Sequence, residues 1–238
     1  MASLSKEPYV TQVVDVDHSQ LDTITPDDGW TPLDNVEEFE MGLGWDKSTG
    51  GAGGALGWLN RKVGSDLDGV ATFYAGNKPV KYLGWDELDS FADEGQAAGS
   101  ATHTGDNQTG EGAGDDETMK LVFGRIPLRI TDIVLNAAAF KRGSDMKRAK
   151  SIRVTLYDST GGSKTPVAWV EPSLYKPKNL IGVAHIRRKR DAEGKVIKGE
   201  GAGWELKVVD RSIDIKQGDR DDFLVKSASL IGITVQAG

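Results

Sequence analysis

The feature that most constrains this chain is an acidic, glycine-rich block, His103–Glu117, with the sequence HTGDNQTGEGAGDDE. Its fifteen residues include five acids and four glycines but no lysine or arginine. Glycine permits backbone conformations that turn carbonyls and carboxylates toward one point, and Ca²⁺ takes about six to eight such oxygen ligands. Turn-forming residues of this kind also build solvated surface loops. The block alone therefore leaves two interpretations open, a calcium site and a solvated acidic turn.

A second acidic pair precedes the block. Asp66 and Asp68 open an apolar stretch, DLDGVATFY, that is typical of a β-strand. Residues two apart on a strand point to the same side of the sheet. Two carboxylates on one side are costly unless they share a cation or lie in water.

The acidic block resembles the signature of the TerD family, calcium-binding proteins associated with tellurium resistance and bacterial stress. Two upstream stretches occur in the family's order, Gly42–Asp46 (GLGWD) and Asp66–Asp68. Downstream, Leu180–Arg188 and Gly203–Val208 are similar to the family's closing pair of strands. The resemblance covers roughly residues 36–235. The chain departs from the family's FDLDAS-like strand where Ser65 replaces an aromatic residue and Gly69 replaces alanine.

The resemblance implies that the chain binds one or two Ca²⁺ ions. All the candidate ligands are oxygen donors from the strands and the acidic block. They are Asp46, Asp66, Asp68, Asp106, Asn107, Gly110, Gly112, Asp115, Asp116 and Glu117. The chain has no cysteine and only three histidines, which argues against a zinc or copper centre.

The sequence offers little support for catalysis. The lack of cysteine excludes thiol nucleophiles and thiol redox chemistry. No serine lies in a nucleophile-elbow pattern. Of the histidines, His18 lies near the N-terminus, His103 opens the acidic block, and His185 is expected to be structural or exposed. We therefore expect a protein that is not an enzyme.

Short apolar stretches separated by glycine- and aspartate-rich turns indicate an all-β protein. We predict a β-sandwich of two antiparallel sheets, with one or two short helices and a long acidic metal-binding loop. Leu88 and Phe91 have helical spacing and predict a short helix over Trp85–Glu94. The predicted strands are Val36–Leu43, Asp66–Tyr74, Val80–Leu83, Met119–Phe123, Ile130–Phe140 (with a helical turn as the alternative), Ile152–Tyr157, Val167–Val170, Leu180–Arg188, Trp204–Val209 and Leu230–Val235.

The chain divides into two predicted parts. Residues 1–35 form an N-terminal arm with one strand near Val10–Val16, and residues 36–238 form the TerD-like calcium-binding domain. The arm has two possible roles, docking on another chain or folding back on its own sheet edge. The basic run His185–Arg190 (HIRRKR) is interpreted as a solvated hairpin or as a docking patch for an acidic partner.

Charge and hydropathy restrict the partners. A formal net charge of −7 disfavours general nucleic-acid binding. No apolar run is long enough to cross a membrane, and the N-terminus lacks the apolar core of a secretory signal, so we predict a cytoplasmic protein. The predicted function is a non-enzymatic TerD-type protein in which Ca²⁺ orders a surface for protein partners, including self-assembly through the arm. The alternative is a structural assembly subunit, for example a bacteriophage virion component.

Overall fold

The structure is a computed structural model that describes residues 26–47, 66–106, 115–144, 146, 149–171 and 178–235. Within these residues, eleven strands form two antiparallel sheets. The strands are β1 (Thr31–Pro32), β2 (Glu38–Lys47), β3 (Asp68–Ala75), β4 (Lys78–Leu83), β5 (Ala101–His103), β6 (Glu117–Val122), β7 (Asp132–Ala138), β8 (Ala149–Asp158), β9 (Thr165–Val170), β10 (Leu180–Arg188) and β11 (Trp204–Ile213). The predicted all-β sandwich is confirmed.

The two sheets differ in strand number and in what covers them. The first sheet has six strands in the order β1-β11-β10-β7-β3-β4, and the second has five in the order β5-β6-β2-β8-β9. The apolar core lies between them, because alternate residues of each strand point inward. In β2 these are Phe39, Met41, Leu43 and Trp45, all at most 1% exposed.

A helix, α1 (Arg220–Leu230), covers the outer face of the first sheet. The Asp219 side chain caps it by accepting a hydrogen bond from the Asp222 backbone N–H at 3.0 Å. Phe223 packs on the ring of Tyr82 from β4. Ser227 is fully buried and its hydroxyl lies 2.9 Å from that of Thr72 in β3. Polar as well as apolar contacts therefore hold the helix on the sheet.

Two secondary-structure predictions are wrong. Leu230–Val235 is the end of α1 and an irregular segment that follows it, not a strand. Ile233 and Val235 pack beside Tyr74 on the outer face of the first sheet, so their alternation reflects burial without strand pairing. Trp85–Glu94 forms turns and isolated bridges instead of a helix.

Other predictions hold with small shifts. Ile130–Phe140 contains strand β7, so the helical alternative is wrong there, and β10 has the predicted bounds. Strand β5 was not foreseen because it has only three residues. No helix in the described part of the chain is long and apolar enough to span a membrane.

Three edge strands carry a proline: Pro32 lies in the two-residue strand β1, and the other two prolines lie at irregular ladders. Pro79 lies in β4 and Pro166 lies in β9, and each strand is the last of its sheet. The register of each ladder shifts beside its proline, between Phe73 and Tyr74 and between Leu156 and Tyr157. A proline cannot donate to a ladder, so sheets tolerate it at edges and bulges.

The last residues of the predicted arm pack on the domain. Strand β1 pairs with β11, and the Leu33 N–H donates to the Trp204 carbonyl at 2.9 Å. The ring of Trp30 lies 3.6 Å from the guanidinium carbon of Arg187. The strand predicted at Val10–Val16 lies outside the described residues.

Candidate metal centre

Three acidic side chains meet where two strands begin and a third ends. Asp68 is the first residue of β3, Glu117 is the first residue of β6, and Asp106 follows the end of β5. One carboxylate oxygen from each lies within 4.8 Å of the other two. We call Asp68, Asp106 and Glu117 the carboxylate cluster. The sequence analysis predicted all three as ligands.

Glu117 points into the sandwich because it shares its alternation with the buried residues Met119 and Leu121 of β6. Its side chain is 1% exposed. The carboxylate crosses to the opposite sheet, where Oε2 accepts a hydrogen bond from the Gly69 N–H at 2.7 Å. A Cβ on Gly69 would lie 3.4 Å from the same oxygen, which is an ordinary contact. The alanine that the family carries at this position would therefore fit.

Asp68 is almost completely buried, with 3% exposure. Its Oδ2 atom is buried and has no hydrogen-bond partner among the described residues. Burial raises the pKa of this carboxyl to about 8, and the negative charges of Glu117, Asp66 and Asp106 act in the same direction. A hydrogen bond from the Phe140 backbone opposes the rise in pKa. Without a cation, Asp68 is therefore mostly protonated near neutral pH.

Asp66 and Lys141 flank the carboxylate cluster. Asp66 Oδ2 lies 3.1 Å from the Lys141 ammonium, and Asp66 Oδ1 is buried with no hydrogen-bond partner in the described residues. The hydrogen bond to Asp66 raises the pKa of Lys141, and the charges of Asp106 and Asp68 raise it further. Lys141 follows β7 and was not identified as a site residue from the sequence. Lys141 is far from the acids along the chain, so no local sequence pattern connects it with them.

The consecutive acids Asp115, Asp116 and Glu117 go to different places. Asp115 Oδ2 accepts a hydrogen bond from the Tyr157 hydroxyl at 2.8 Å. Asp116 Oδ2 accepts one from the Trp45 backbone N–H at 3.0 Å. The structure therefore does not bring Asp115 and Asp116 into the carboxylate cluster with Glu117.

Asp115 also explains a glycine of the GLGWD stretch. A Cβ on Gly42 would lie 2.0 Å from Asp115 Oδ2 and 2.1 Å from its carboxyl carbon. A side chain at position 42 would collide with this carboxylate, so Asp115 would have to move. Gly42 is thus tied to the position of Asp115.

The remaining predicted ligands are outside what the structure describes in atomic detail. The backbone of Asp46 pairs with Ser151 between β2 and β8, while its side chain is not among the described parts. Asn107, Gly110 and Gly112 lie outside the described residues. They stay predictions.

The donor set fits a hard cation. All ligand atoms of the carboxylate cluster are carboxylate oxygens, the type that Ca²⁺ and Mg²⁺ prefer. The buried Oδ2 of Asp68 lacks a partner in the described structure, and a buried polar atom of this kind is costly. A cation between Asp68, Asp106 and Glu117 would remove both the repulsion and the missing interaction.

A second buried polar cluster lies at the other end of β7. His185 Nε2 lies 2.8 Å from Asp132 Oδ1, and the Arg190 guanidinium lies 3.0 Å from Asp132 Oδ2. Burial would raise the pKa of Asp132, but the hydrogen bond from His185 and these positive charges outweigh it and hold the pKa below its ordinary value. The prediction that His185 is structural or exposed agrees with its buried hydrogen bond to Asp132.

The other basic side chains of the run His185–Arg190 also have acceptors in this chain. Arg187 pairs with Glu205 at 2.6 Å, and Lys189 pairs with Asp34. Arg188 donates to the backbone carbonyl of Ile130 at 2.8 Å. Through these contacts, the basic side chains of the run bind to other parts of the same domain.

The fold and the site together define a class: a two-sheet β-sandwich with an acidic, oxygen-rich centre where the sheets meet. The chain belongs to the TerD family, because the TerD domain matches residues 31–192. Tellurium resistance protein TerD of Serratia marcescens is 31% identical over 161 residues, which cover 60% of this chain and 75% of that protein. Stress response protein SCP2 of Bacillus subtilis (strain 168) is 34% identical over 99 residues, covering 42% and 49%.

Solved structures show the same fold. A Streptomyces coelicolor homologue of a telluride resistance protein (TerD) superposes with a TM-score of 0.51 at 19% identity, over 75% of this chain and 91% of that one. A crystal structure of a protein of unknown function gives a TM-score of 0.50 at 20% identity, over 75% and 92%.

Proposed function

We propose that this protein is a non-enzymatic, calcium-binding member of the TerD family that acts in tellurium resistance or the stress response. Ca²⁺ binds between Asp68, Asp106 and Glu117 and orders the acidic block, and with it a surface for protein partners. One observation carries the proposal: three carboxylate oxygens lie within 4.8 Å of one another, and Asp68, which supplies one of them, is buried.

The electrostatics of the carboxylate cluster favour a bound cation. Protonation of Asp68 lowers the repulsion in the metal-free protein, and a divalent cation would replace this proton with a stronger interaction. Binding would connect β3 of the first sheet with β6 of the second. Asp106 would tie the start of the acidic block to the same ion. The ligands that the described residues bring together suit one ion at this position.

The first experiment measures thermal unfolding of the full chain in EDTA and in excess CaCl₂. Free Ca²⁺ at about one hundred times its dissociation constant should stabilise the folded state by about 2.7 kcal/mol. Isothermal titration calorimetry on the same protein should give a saturable heat. Equal melting temperatures and no heat of binding would refute the proposal.

A matched pair of variants assigns the binding to the carboxylate cluster. Asp68→Asn removes a charge from the buried cluster and should greatly weaken Ca²⁺ binding. Asp214→Asn removes a charge from an aspartate that is 64% exposed and pairs with Lys178. The control should bind Ca²⁺ like the wild type. If both variants bind equally well, the ion lies elsewhere.

The absence of cysteine leads us to propose that the protein does not reduce tellurite itself. Purified protein, an electron donor and tellurite should give no protein-dependent reduction. Reduction that required this chain would contradict a non-enzymatic role while leaving calcium binding untouched.

A further inference from the structure

His103 lies in the interior beside the carboxylate cluster, with a side-chain exposure of 0%. It is the last residue of β5 and pairs with Met119 of β6. Its two ring nitrogens face two different parts of the site. Nδ1 accepts a hydrogen bond from the Gly105 backbone N–H at 2.9 Å, and Nε2 lies 3.4 Å from Glu117 Oε2.

The contact with Gly105 determines which ring nitrogen carries the hydrogen. A nitrogen that accepts a hydrogen bond cannot carry one, so the neutral ring has its hydrogen on Nε2. This hydrogen is on the side of Glu117 Oε2. The Nε2 atom is buried and has no well-aligned hydrogen-bond acceptor in the described structure. A small rotation of the Glu117 carboxylate would complete that bond.

The Gly105 contact also reaches the third acid. Gly105 has a φ of +104°, a conformation that glycine adopts readily and other residues rarely adopt. The hydrogen bond to His103 holds this turn, and the next residue is Asp106. One imidazole thus contacts the backbone that presents Asp106 and faces the carboxylate of Glu117.

We propose that His103 is a positioning residue of the metal centre, which holds Asp106 and Glu117 at the separation that a cation requires without itself being a ligand. The inference rests on the proposed calcium binding. Groups that hydrogen-bond to the ligands of a metal fix their orientation, and their loss typically weakens metal binding by about 10- to 100-fold.

Three substitutions separate the two contacts. The amide oxygen of Asn can take the place of Nδ1, so His103→Asn keeps the contact to Gly105 and loses the one to Glu117. The amide nitrogen of Gln can take the place of Nε2, so His103→Gln keeps the contact to Glu117 and loses the one to Gly105. His103→Phe keeps a ring and loses both.

Ca²⁺ titration calorimetry and melting in EDTA are measured for the wild type and each variant. We expect His103→Phe to weaken binding by about ten-fold or more, and the Asn and Gln variants to fall between it and the wild type. His185→Gln is the control, because His185 is a second buried histidine beside a carboxylate, at the far end of β7. It should lower the melting temperature in EDTA and leave the Ca²⁺ dissociation constant unchanged.

The outcomes distinguish the two proposals. If the wild type binds no Ca²⁺, calcium binding fails and the role of His103 fails with it. If the wild type binds but the folded His103 variants bind equally well, only the positioning role is refuted.

A nitrogen-15 NMR spectrum of the wild-type histidines requires no variant. It should show the His103 hydrogen on Nε2 in EDTA and a shift of this nitrogen on adding Ca²⁺. A hydrogen on Nδ1 would overturn the inference even if every variant failed to fold.

Discussion

The carboxylate of Glu117 and the backbone N–H of Gly69 form a 2.7 Å hydrogen bond across the interior of the sandwich. A charged group from the second sheet is thus tied to the backbone of the first, next to an apolar core. Burial of a carboxylate is costly, and this carboxylate lies beside those of Asp68 and Asp106. The carboxylate that connects the sheets also supplies one oxygen of the carboxylate cluster.

Two substitutions at Glu117 should separate its roles. Glu117→Gln keeps an oxygen for the Gly69 N–H and removes the charge, so Ca²⁺ affinity should fall while the metal-free protein stays at least as stable. Glu117→Ala leaves the buried N–H without an acceptor and should lower the free energy of unfolding by about 1–3 kcal/mol. Urea unfolding in EDTA measures both variants. Equal stability of the two would show that the hydrogen bond contributes nothing.

The metal-free protein should lose stability as the pH rises. The folded-state pKa of Asp68, about 8, lies above its ordinary value of 3.8, so the folded protein retains a proton that the unfolded chain has released. This stabilisation is fully present below about pH 4 and is lost as the pH rises through about 8. Ca²⁺ affinity should rise over the same range, because the ion requires the ionised carboxylate.

Urea unfolding in EDTA at several pH values tests this dependence, with Asp68→Asn as the comparison. The variant has no proton to lose at this position and should show a flatter profile from about pH 5 to pH 9. Parallel profiles for the wild type and the variant would mean that Asp68 ionises without cost.

Lys141 should weaken Ca²⁺ binding, because its ammonium pairs with Asp66 beside the carboxylate cluster. Lys141→Met removes a positive charge that repels the ion, so affinity should rise by about two- to ten-fold; solvent screening of a side chain that is 59% exposed limits the gain. Lys178→Met is the control, since Lys178 pairs with Asp214 elsewhere. A lower affinity in Lys141→Met would instead mean that the lysine holds Asp66 in place for the ion.

Asp116 should support the metal-free fold, because its carboxylate accepts a hydrogen bond from the Trp45 N–H. Asp116→Ala should lower the free energy of unfolding in EDTA by about 1–3 kcal/mol. Asp116→Asn retains an acceptor oxygen and should lose less. If Asp116→Asn is instead more stable than the wild type in EDTA, repulsion among the acids outweighs the hydrogen bond.

The sequence was sufficient for the fold class, for the bounds of β10 and for Asp68, Asp106 and Glu117 as one group. It was not sufficient to separate Asp115 and Asp116 from Glu117. Three adjacent acids look alike in a sequence, and only the pairing of β6 determines that Glu117 points inward. The helix α1 was missed for a related reason: its buried residues include Ser227 and Ala228, so no continuous apolar stripe marks it.

The basic run His185–Arg190 shows the same limit. A run of six residues with four lysine or arginine side chains indicated either a solvated hairpin or a docking patch. Yet Arg188 donates to a backbone carbonyl and lies over the ring of Trp204. Such acceptors come from segments far away in the chain, and no local pattern in the sequence reveals them.

The prolines at the sheet edges restrict how copies of this chain can associate. A neighbour that extended a sheet through β4 or β9 would meet a strand lacking one N–H donor and carrying an irregular register beside it. Such strands resist the edge-to-edge growth that leads to fibres. We therefore expect any assembly to use side-chain surfaces or the edge formed by β5, which leaves the protein at high concentration protected from unlimited sheet polymerisation at β4 and β9.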